Sequence, residues 1–215
     1  MSKREDILNR ILELKAIAVI RMADSSKLIS VVEAILEGGV ECVEITMTVP
    51  YAVQVIRDVS RAIGDRALIG AGTVIDRITA LQTIEAGAQF VVGPVFNSQV
   101  VEAVHDQGYV AIPGAFSPGE IVAAWQAGAD VVKIFPATVL GPKYIKDLRG
   151  PLPQIRLCPT GGVTVDNAGE WIKAGASCVG IGSDLLDKQA IAENRFEILT
   201  ERARRMVASI QSSTG

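Results

Sequence analysis

The chain has 215 residues, of which 49% are hydrophobic and 21% charged, and its net charge at pH 7 is −3. This length suits one domain, and this composition supports a large buried core and argues against disorder. Acidic and basic residues are mixed along the chain, so no basic block predicts a nucleic-acid partner. The charged N-terminus is not typical of a secretory signal, and no uncharged apolar run is long enough to predict a membrane span.

Short apolar runs typical of strands alternate with helical patterns along the whole chain. Strands are predicted over residues 16–21, 41–46, 67–73, 89–93, 109–113, 131–135, 155–160 and 178–182. Helices are predicted over residues 5–14, 26–36, 52–63, 77–86, 98–106, 118–127, 165–174 and 187–210. Such alternation predicts a parallel sheet, and eight units without a linker favour one (β/α)8 barrel domain over residues 1–215, with an extra N-terminal helix. An open doubly wound sheet is the alternative, weakened because no GxGxxG motif follows the first strand.

The three cysteines, Cys42, Cys158 and Cys178, each lie inside an apolar run. An odd number without CxxC spacing argues against a disulfide framework and against a zinc site. No histidine cluster or carboxylate pair has the spacing of metal ligands. We therefore expect no metal, no cofactor and a reducing, cytoplasmic setting.

Polar or conformationally special residues recur at the predicted carboxyl ends of the strands, where barrel enzymes carry their chemistry. They are Arg21, Glu44, Thr73, Pro94, Lys133, Thr160 and Ser183.

Lys133 is the strongest of these signals because it interrupts an otherwise apolar strand. Strand alternation places it on one face with Val131 and Phe135. If that face points into the barrel, poor solvation favours the neutral amine, which is the nucleophile for a Schiff base. A lysine on the outer face, reaching out between helices, is the alternative, but parallel strands are covered on both faces.

Glu44 has the same apolar surroundings on the second strand. A carboxyl group there can have a raised pKa and act as general acid and base. The structural alternative is an ion pair with Lys133 or Arg21.

Glycine-rich turns follow the seventh and eighth predicted strands, at Gly161-Gly162 and at Gly182-Ser183. Glycines let backbone N–H groups approach an anion, and these two loops are the usual phosphate site of barrels. His105, the only histidine, lies in a helix and is predicted to be structural.

Four motifs in order resemble those of the 2-keto-3-deoxy-6-phosphogluconate (KDPG) and 4-hydroxy-2-oxoglutarate (KHG) aldolases. They are Glu44-Ile45-Thr46, Gly70-Ala71-Gly72-Thr73-Val74, Lys133-Ile134-Phe135-Pro136-Ala137 and Pro159-Thr160-Gly161-Gly162-Val163. The resemblance runs from Ala16 to about Asp184. It implies a class I aldolase on a (β/α)8 barrel, a homotrimer that takes a small keto-acid phosphate as substrate.

The resemblance also implies a role for each matched residue. Lys133 would form the Schiff base and Glu44 would move protons. Thr73, Pro94 and Phe135 would contact the pyruvate portion, and Thr160 the aldehyde portion. The implied phosphate-binding residues are Gly161, Gly162, Gly182 and Ser183.

The chain departs from the family pattern at three places. Thr48 stands where many members have an arginine that binds the pyruvate carboxylate, and we hypothesise that Arg21 replaces that arginine. The segment 113–120 differs from the usual pattern, although Ser117 can still cap the following helix. The segment 93–97 differs after Pro94, at the edge of the predicted pocket.

Other readings remain open at this stage. An aldolase for the galactonate epimer differs only by contacts from a few pocket residues. A non-catalytic phosphosugar-binding or trimeric scaffold barrel is a second alternative: retention of Lys133 and Glu44 argues against it, and Thr48 keeps it open. A metal-dependent aldolase or decarboxylase is the third.

Overall fold

The structure is a computed structural model that describes residues 2–213. The strands are β1 (Ala16–Ile20), β2 (Cys42–Thr46), β3 (Leu68–Gly72), β4 (Phe90–Val92), β5 (Val110–Ile112), β6 (Gly114–Ala115), β7 (Val132–Ile134), β8 (Leu157–Pro159) and β9 (Val179–Ile181). The helices are α1 (Lys3–Leu14), α2 (Leu28–Glu37), α3 (Ala52–Ile63), α4 (Arg77–Glu85), α5 (Ser98–Asp106), α6 (Pro118–Gln126), α7 (Gly141–Arg149), α8 (Ala168–Lys173), α9 (Lys188–Ala192) and α10 (Glu197–Gln211).

The strands form a curled, parallel arrangement within an α/β fold. Six strands pair in the order β5-β4-β3-β2-β1-β9, and three in the order β6-β7-β8. A parallel bridge between Thr160 and Gly180 connects the end of β8 with β9. Only Pro113 separates β5 from β6, and the strand is interrupted there because proline has no N–H to donate to a neighbouring strand.

Strand residues alternate between two apolar layers. Val132 and Ile134 belong to the cluster that the helices cover, whereas Val131 belongs to a second, inner cluster. Helix α1 contributes Ile7 and Ile11 to this inner cluster. The period of two that was read from the sequence therefore holds, and α1 covers one end of the inner layer.

The three cysteines all belong to the inner cluster, where they are buried and free. Burial raises the pKa of the Cys42 thiol well above its usual value.

None of the helices within residues 2–213 is long and apolar enough to span a bilayer.

Asp130, just before β7, is a buried charged residue that is only 4% exposed. Its carboxylate accepts hydrogen bonds from Arg4 Nε at 2.8 Å and from the Ala111 N–H at 2.8 Å. His105 Nε2 lies 3.0 Å from Oδ2 of the same carboxylate. Asp130 thus joins α1, α5 and β5, and His105 has the structural position that was predicted for it.

The helices depart from the sequence prediction in three places. The single helix predicted over 187–210 is wrong: the structure has α9 and α10, separated at Asn194, which adopts a left-handed φ of 57°. Helix α8 begins at Ala168 rather than at 165, and α7 was not predicted at all. The cap at Ser117 is confirmed, because its side chain accepts from the Glu120 N–H in a capping box.

Candidate active site

The candidate site centres on Lys133 and Glu44, which lie on the inner side of β7 and β2. Lys133 Nζ lies 3.8 Å from Glu44 Oε1, and the two side chains are 7% and 2% exposed. This separation is an ion-pair distance but too long for a hydrogen bond. Lys133 and Glu44, which lie far apart in the chain and on strands of the two different sheets, are therefore brought together on the inner side of the fold.

Glu44 is a buried carboxyl group with incomplete partners. Its Oε1 atom is buried and has no hydrogen-bond partner within residues 2–213. Burial raises the pKa of Glu44, and the nearby charges of Lys133 and Arg21 offset only part of that rise. A group held in this way exchanges a proton more readily near neutral pH than an ordinary glutamate does.

Gly72 makes room for the Glu44 carboxylate. A Cβ atom added at Gly72 would overlap Glu44 Oε1, Cδ and Cγ. The next residue, Thr73, has a left-handed φ of 61°, which is uncommon for a β-branched residue. Such backbone conformations concentrate at functional sites. The end of β3 is thus shaped around Glu44.

Phe135 lies beside this pair, and Thr160 follows β8, next to the end of β7. The Phe135 ring centroid is 5.2 Å from Lys133 Nζ. Thr160 is 8% exposed, and its N–H donates to the Ile134 carbonyl at 3.0 Å. A Cβ atom at Gly180 would overlap Thr160 Oγ1, so Gly180 leaves space for that side chain. Pro94 is half-buried and its carbonyl lies against Gly114, at the junction that precedes β6.

Arg21 and Thr48 lie at the ends of β1 and β2, and both are exposed. Arg21 makes no ion pair with any residue from 2 to 213, although its charge offsets a small part of the rise that burial causes in the pKa of Glu44. Thr48 Oγ1 lies 2.7 Å from the hydroxyl of Thr46, which in turn donates to the Ile20 carbonyl at 3.1 Å.

The chain also matches the sequence model of a known protein family. The family model described as KDPG and KHG aldolase matches residues 7–201. The chain belongs to this aldolase family. It is therefore an aldolase, an enzyme of the carbon–carbon lyase class.

Relatives in the family differ in the substrate that their names give. The chain is 38% identical over 176 residues to 2-dehydro-3-deoxy-6-phosphogalactonate aldolase of Escherichia coli, a match that covers 80% of this chain and 85% of the relative. It is 34% identical over 196 residues to 2-dehydro-3-deoxy-phosphogluconate aldolase of Treponema pallidum, covering 91% of each.

A solved member of the family shows related chemistry. The chain is 28% identical to a KDPG aldolase from Legionella pneumophila, with a TM-score of 0.85 over 93% of this chain and 97% of that one. That enzyme holds pyruvate, captured at low pH, as a covalent carbinolamine intermediate.

The glycine loops of the aldolase come next to one another at the ends of β8 and β9. Gly161 and Gly162 have φ values of 94° and 74°, which L residues rarely adopt. Both pack against Thr138, because an added Cβ at Gly161 would lie 3.0 Å from Thr138 Oγ1. Gly182 is half-buried and Ser183 is exposed. No group of three or more His, Cys, Asp or Glu side chains that could hold a metal ion occurs in the described part of the chain.

Sequence reasoning missed the residues that act by leaving space or by holding backbone. The sequence assigns no role to Thr138, and Gly180 and Thr46 stand out only as members of longer motifs. The space that Gly180 leaves for Thr160 depends on the bridge between these two residues, which no local pattern predicts. No sequence signal joins Thr46 to Ile20, since that contact depends on how β1 and β2 pair.

Proposed function

We propose that this aldolase is a class I enzyme that cleaves KDPG to pyruvate and glyceraldehyde 3-phosphate through a Schiff base on Lys133. The observation that carries the proposal is the buried pair of Lys133 and Glu44, 3.8 Å apart. The carbinolamine of the Legionella relative supports the same chemistry. We propose in addition that the enzyme cleaves 4-hydroxy-2-oxoglutarate to pyruvate and glyoxylate.

The reaction begins when the neutral amine of Lys133 adds to the C2 ketone. The resulting carbinolamine loses water and becomes a protonated imine. The imine nitrogen accepts the electron pair of the C3–C4 bond as that bond breaks, while the C4 hydroxyl loses its proton and becomes the aldehyde. The enamine that remains on Lys133 is protonated at C3, and hydrolysis of the imine releases pyruvate and the free amine.

Glu44 is the proton carrier in this scheme. Its carboxylate takes the proton from the C4 hydroxyl during bond cleavage, and the resulting acid later delivers a proton to the enamine. The raised pKa of Glu44 supports both halves of this role. Its Oε1 atom is free of hydrogen bonds within residues 2–213 and so can accept one from the substrate.

The other predicted site residues would bind the two ends of the substrate. We propose that Thr73, Pro94 and Phe135 contact the pyruvate portion, and that Thr160 contacts the aldehyde portion. The proposed phosphate site consists of Gly161, Gly162, Gly182 and Ser183. Remote binding of the phosphate would orient the C3–C4 bond beside Lys133 and Glu44.

Arg21 is the proposed ligand of the substrate carboxylate, in place of the arginine that many members have at position 48. A guanidinium group at the strand ends can bind a carboxylate through two parallel hydrogen bonds. We expect Arg21→Ala to raise KM at least tenfold, because a charge-assisted contact is lost. Thr48→Arg, introduced into the same variant, should restore part of the binding. A normal KM in Arg21→Ala would rule out this role.

The decisive experiment for the Schiff base is reduction with borohydride in the presence of pyruvate. Mass spectrometry of the peptides should find the reduced pyruvate adduct on Lys133, and Lys133→Met should form none. If the active, folded protein forms no adduct and loses activity with a chelator, a metal-dependent aldolase replaces this proposal. An inactive protein without an adduct would favour a binding or scaffold role.

Cleavage of the galactonate epimer is a second candidate, favoured by the 38% identity to the Escherichia coli phosphogalactonate aldolase. The two substrates differ in one stereocentre, so they can be compared directly. We expect kcat/KM to be higher for the gluconate epimer. A ratio above one in favour of the galactonate epimer would reassign the substrate and leave the Schiff-base mechanism intact.

We propose further that the nine strand segments close into an eight-stranded (β/α)8 barrel, with residues 1–215 as one domain. The bridge from Thr160 to Gly180 and the single residue between β5 and β6 support closure.

We also propose a cytoplasmic homotrimer. Apolar residues exposed after β3 and β4 support such an interface: Ile75 is 56%, Ile78 70% and Val95 56% exposed. Analytical ultracentrifugation would test the stoichiometry.

A further inference from the structure

A pair of threonine hydroxyls joins the carboxyl ends of β2 and β1. Thr46 is fully buried and Thr48 is exposed, and their Oγ1 atoms lie 2.7 Å apart. The Thr46 hydroxyl also lies 3.1 Å from the Ile20 carbonyl oxygen, 26 positions earlier in the chain. We propose that these two hydroxyls form a latch that positions Arg21, so that Thr48 is a positioning residue for binding of the substrate carboxylate. This inference rests on the proposed function of Arg21.

The direction of the two hydrogen bonds follows from the number of protons. A carbonyl oxygen only accepts, so the single hydroxyl proton of Thr46 is donated to Ile20. Thr46 can then only accept from Thr48, and Thr48 must donate its own proton. The Thr48 hydroxyl proton is therefore donated to Thr46 and is not available to a substrate. Because the hydroxyl also carries no charge, Thr48 cannot replace an arginine as the ligand of a carboxylate.

The latch acts on the peptide group that carries Arg21. The last paired residues of β1 and β2 are Ile20 and Ile45, so the ladder ends just before Arg21 and Thr46. The Ile20 carbonyl belongs to the same planar peptide unit as the Arg21 nitrogen. Fixing that carbonyl therefore fixes the direction in which the backbone leaves β1 at Arg21.

Arg21 needs such support because its side chain is exposed and makes no ion pair with residues 2–213. An unsupported arginine at a strand end loses conformational freedom on binding, which weakens the contact that it makes. Its register neighbours place it close to Glu44, since Val19 pairs with Glu44 across β1 and β2. A fixed backbone at this point directs the guanidinium group to the region where the keto acid must lie to reach Lys133.

The test compares Thr48→Val, which removes the hydroxyl, with Thr48→Ser, which retains it. We expect Thr48→Val to raise KM about two- to tenfold, as for loss of one neutral hydrogen bond, with little change in kcat. Thr48→Ser should stay close to the wild-type values. In an Arg21→Ala background, Thr48→Val should have no further effect, because the group that it positions is absent.

Two results would overturn the latch. One is a wild-type KM in Thr48→Val. The other is an effect of Thr48→Val that is equally large with and without Arg21, since the threonine would then act independently.

A measurement that needs no activity separates the latch from the proposed function. Hydrogen–deuterium exchange in the peptide that contains residues 20–27 should be faster in Thr48→Val than in Thr48→Ser. If the wild-type protein forms no pyruvate adduct, the proposed function fails, and this exchange result still decides whether the hydroxyl pair holds the backbone. Equal exchange in both variants would contradict the latch itself.

Discussion

Glu44 and Asp130 are both buried carboxyl groups, yet the protein surrounds them differently. Asp130, before β7, has partners at 2.7 to 3.0 Å from α1, α5 and β5. Glu44 has one ion-pair partner at 3.8 Å, on β7 itself, and an Oε1 atom without a hydrogen bond in residues 2–213. Burial raises the pKa of both groups, but hydrogen bonds from His105, Arg4 and Ala111 bring the pKa of Asp130 below its usual value.

The difference shows how the surroundings decide what a buried carboxylate does. A fully bonded carboxylate holds elements together, because removing it leaves several donors without a partner. An incompletely bonded carboxylate is destabilised in its charged form and is available to a reactant. Only two residues separate Asp130 from Lys133, so one short segment serves both purposes.

The largest expected effect is that of Glu44→Gln on catalysis. Without a proton carrier, kcat should fall by about 10²- to 10⁴-fold. The pyruvate adduct on Lys133 should still form, because the amine is intact. Stability at pH 7 should stay the same or increase, since a neutral amide replaces a buried charge. Steady-state kinetics, borohydride trapping and urea unfolding measure these three outcomes, and a variant with wild-type kcat would remove Glu44 from the mechanism.

Asp130→Asn should have the opposite pattern. Loss of this carboxylate should lower the free energy of unfolding by about 3 kcal/mol, because Arg4 and His105 lose a buried partner. Asp147→Asn is the matched control: Asp147 pairs with Lys143 at 2.6 Å but is 60% exposed, so its loss should cost under about 0.5 kcal/mol. The kcat of folded Asp130→Asn should be unchanged. Equal stability of the two variants would show that burial does not distinguish these pairs.

The smallest expected effect is a difference in the pH dependence of stability. The folded-state pKa of Asp130 is lowered, so its contribution is complete above the unfolded pKa of about 4 and is lost as pH falls through the folded value. The folded-state pKa of Glu44 is raised, so its contribution is complete below the unfolded pKa of about 4 and is lost as pH rises through the folded value. Unfolding of the wild type and both variants from pH 3 to 8 should show these opposite slopes; slopes of equal sign would contradict the assignments.

Much of the fold follows from local sequence patterns. Helices α3 and α5 begin and end at the predicted residues, and every predicted strand overlaps an observed one. Errors arose where no local signal marks a change. Asn194 interrupts the last helical region by a left-handed conformation without a glycine or a proline. Helix α7 begins with Gly141-Pro142, a pair that is also typical of turns.

The site was predictable to the extent that strand periodicity and polarity determine it. Lys133 and Glu44 stand out as charged residues in apolar strands, but their 3.8 Å separation depends on how two strands that do not pair face each other, which local sequence does not give. The Asp130 cluster was not predictable, because Arg4 and His105 lie on helices whose relative placement depends on tertiary packing. The space left by Gly72 is likewise visible only once β2 and β3 are paired.

Because all the thiols are buried in the inner cluster, the surface of this enzyme offers no cysteine that a maleimide can reach. The chain has three cysteines, all buried and free, and burial raises the pKa of Cys42 further from the reactive thiolate range. A cysteine introduced at Val139, which is 73% exposed in the short 3₁₀ helix Ala137–Val139 after β7, would therefore be the one thiol that a maleimide fluorophore reaches. No native cysteine would therefore have to be removed before such labelling.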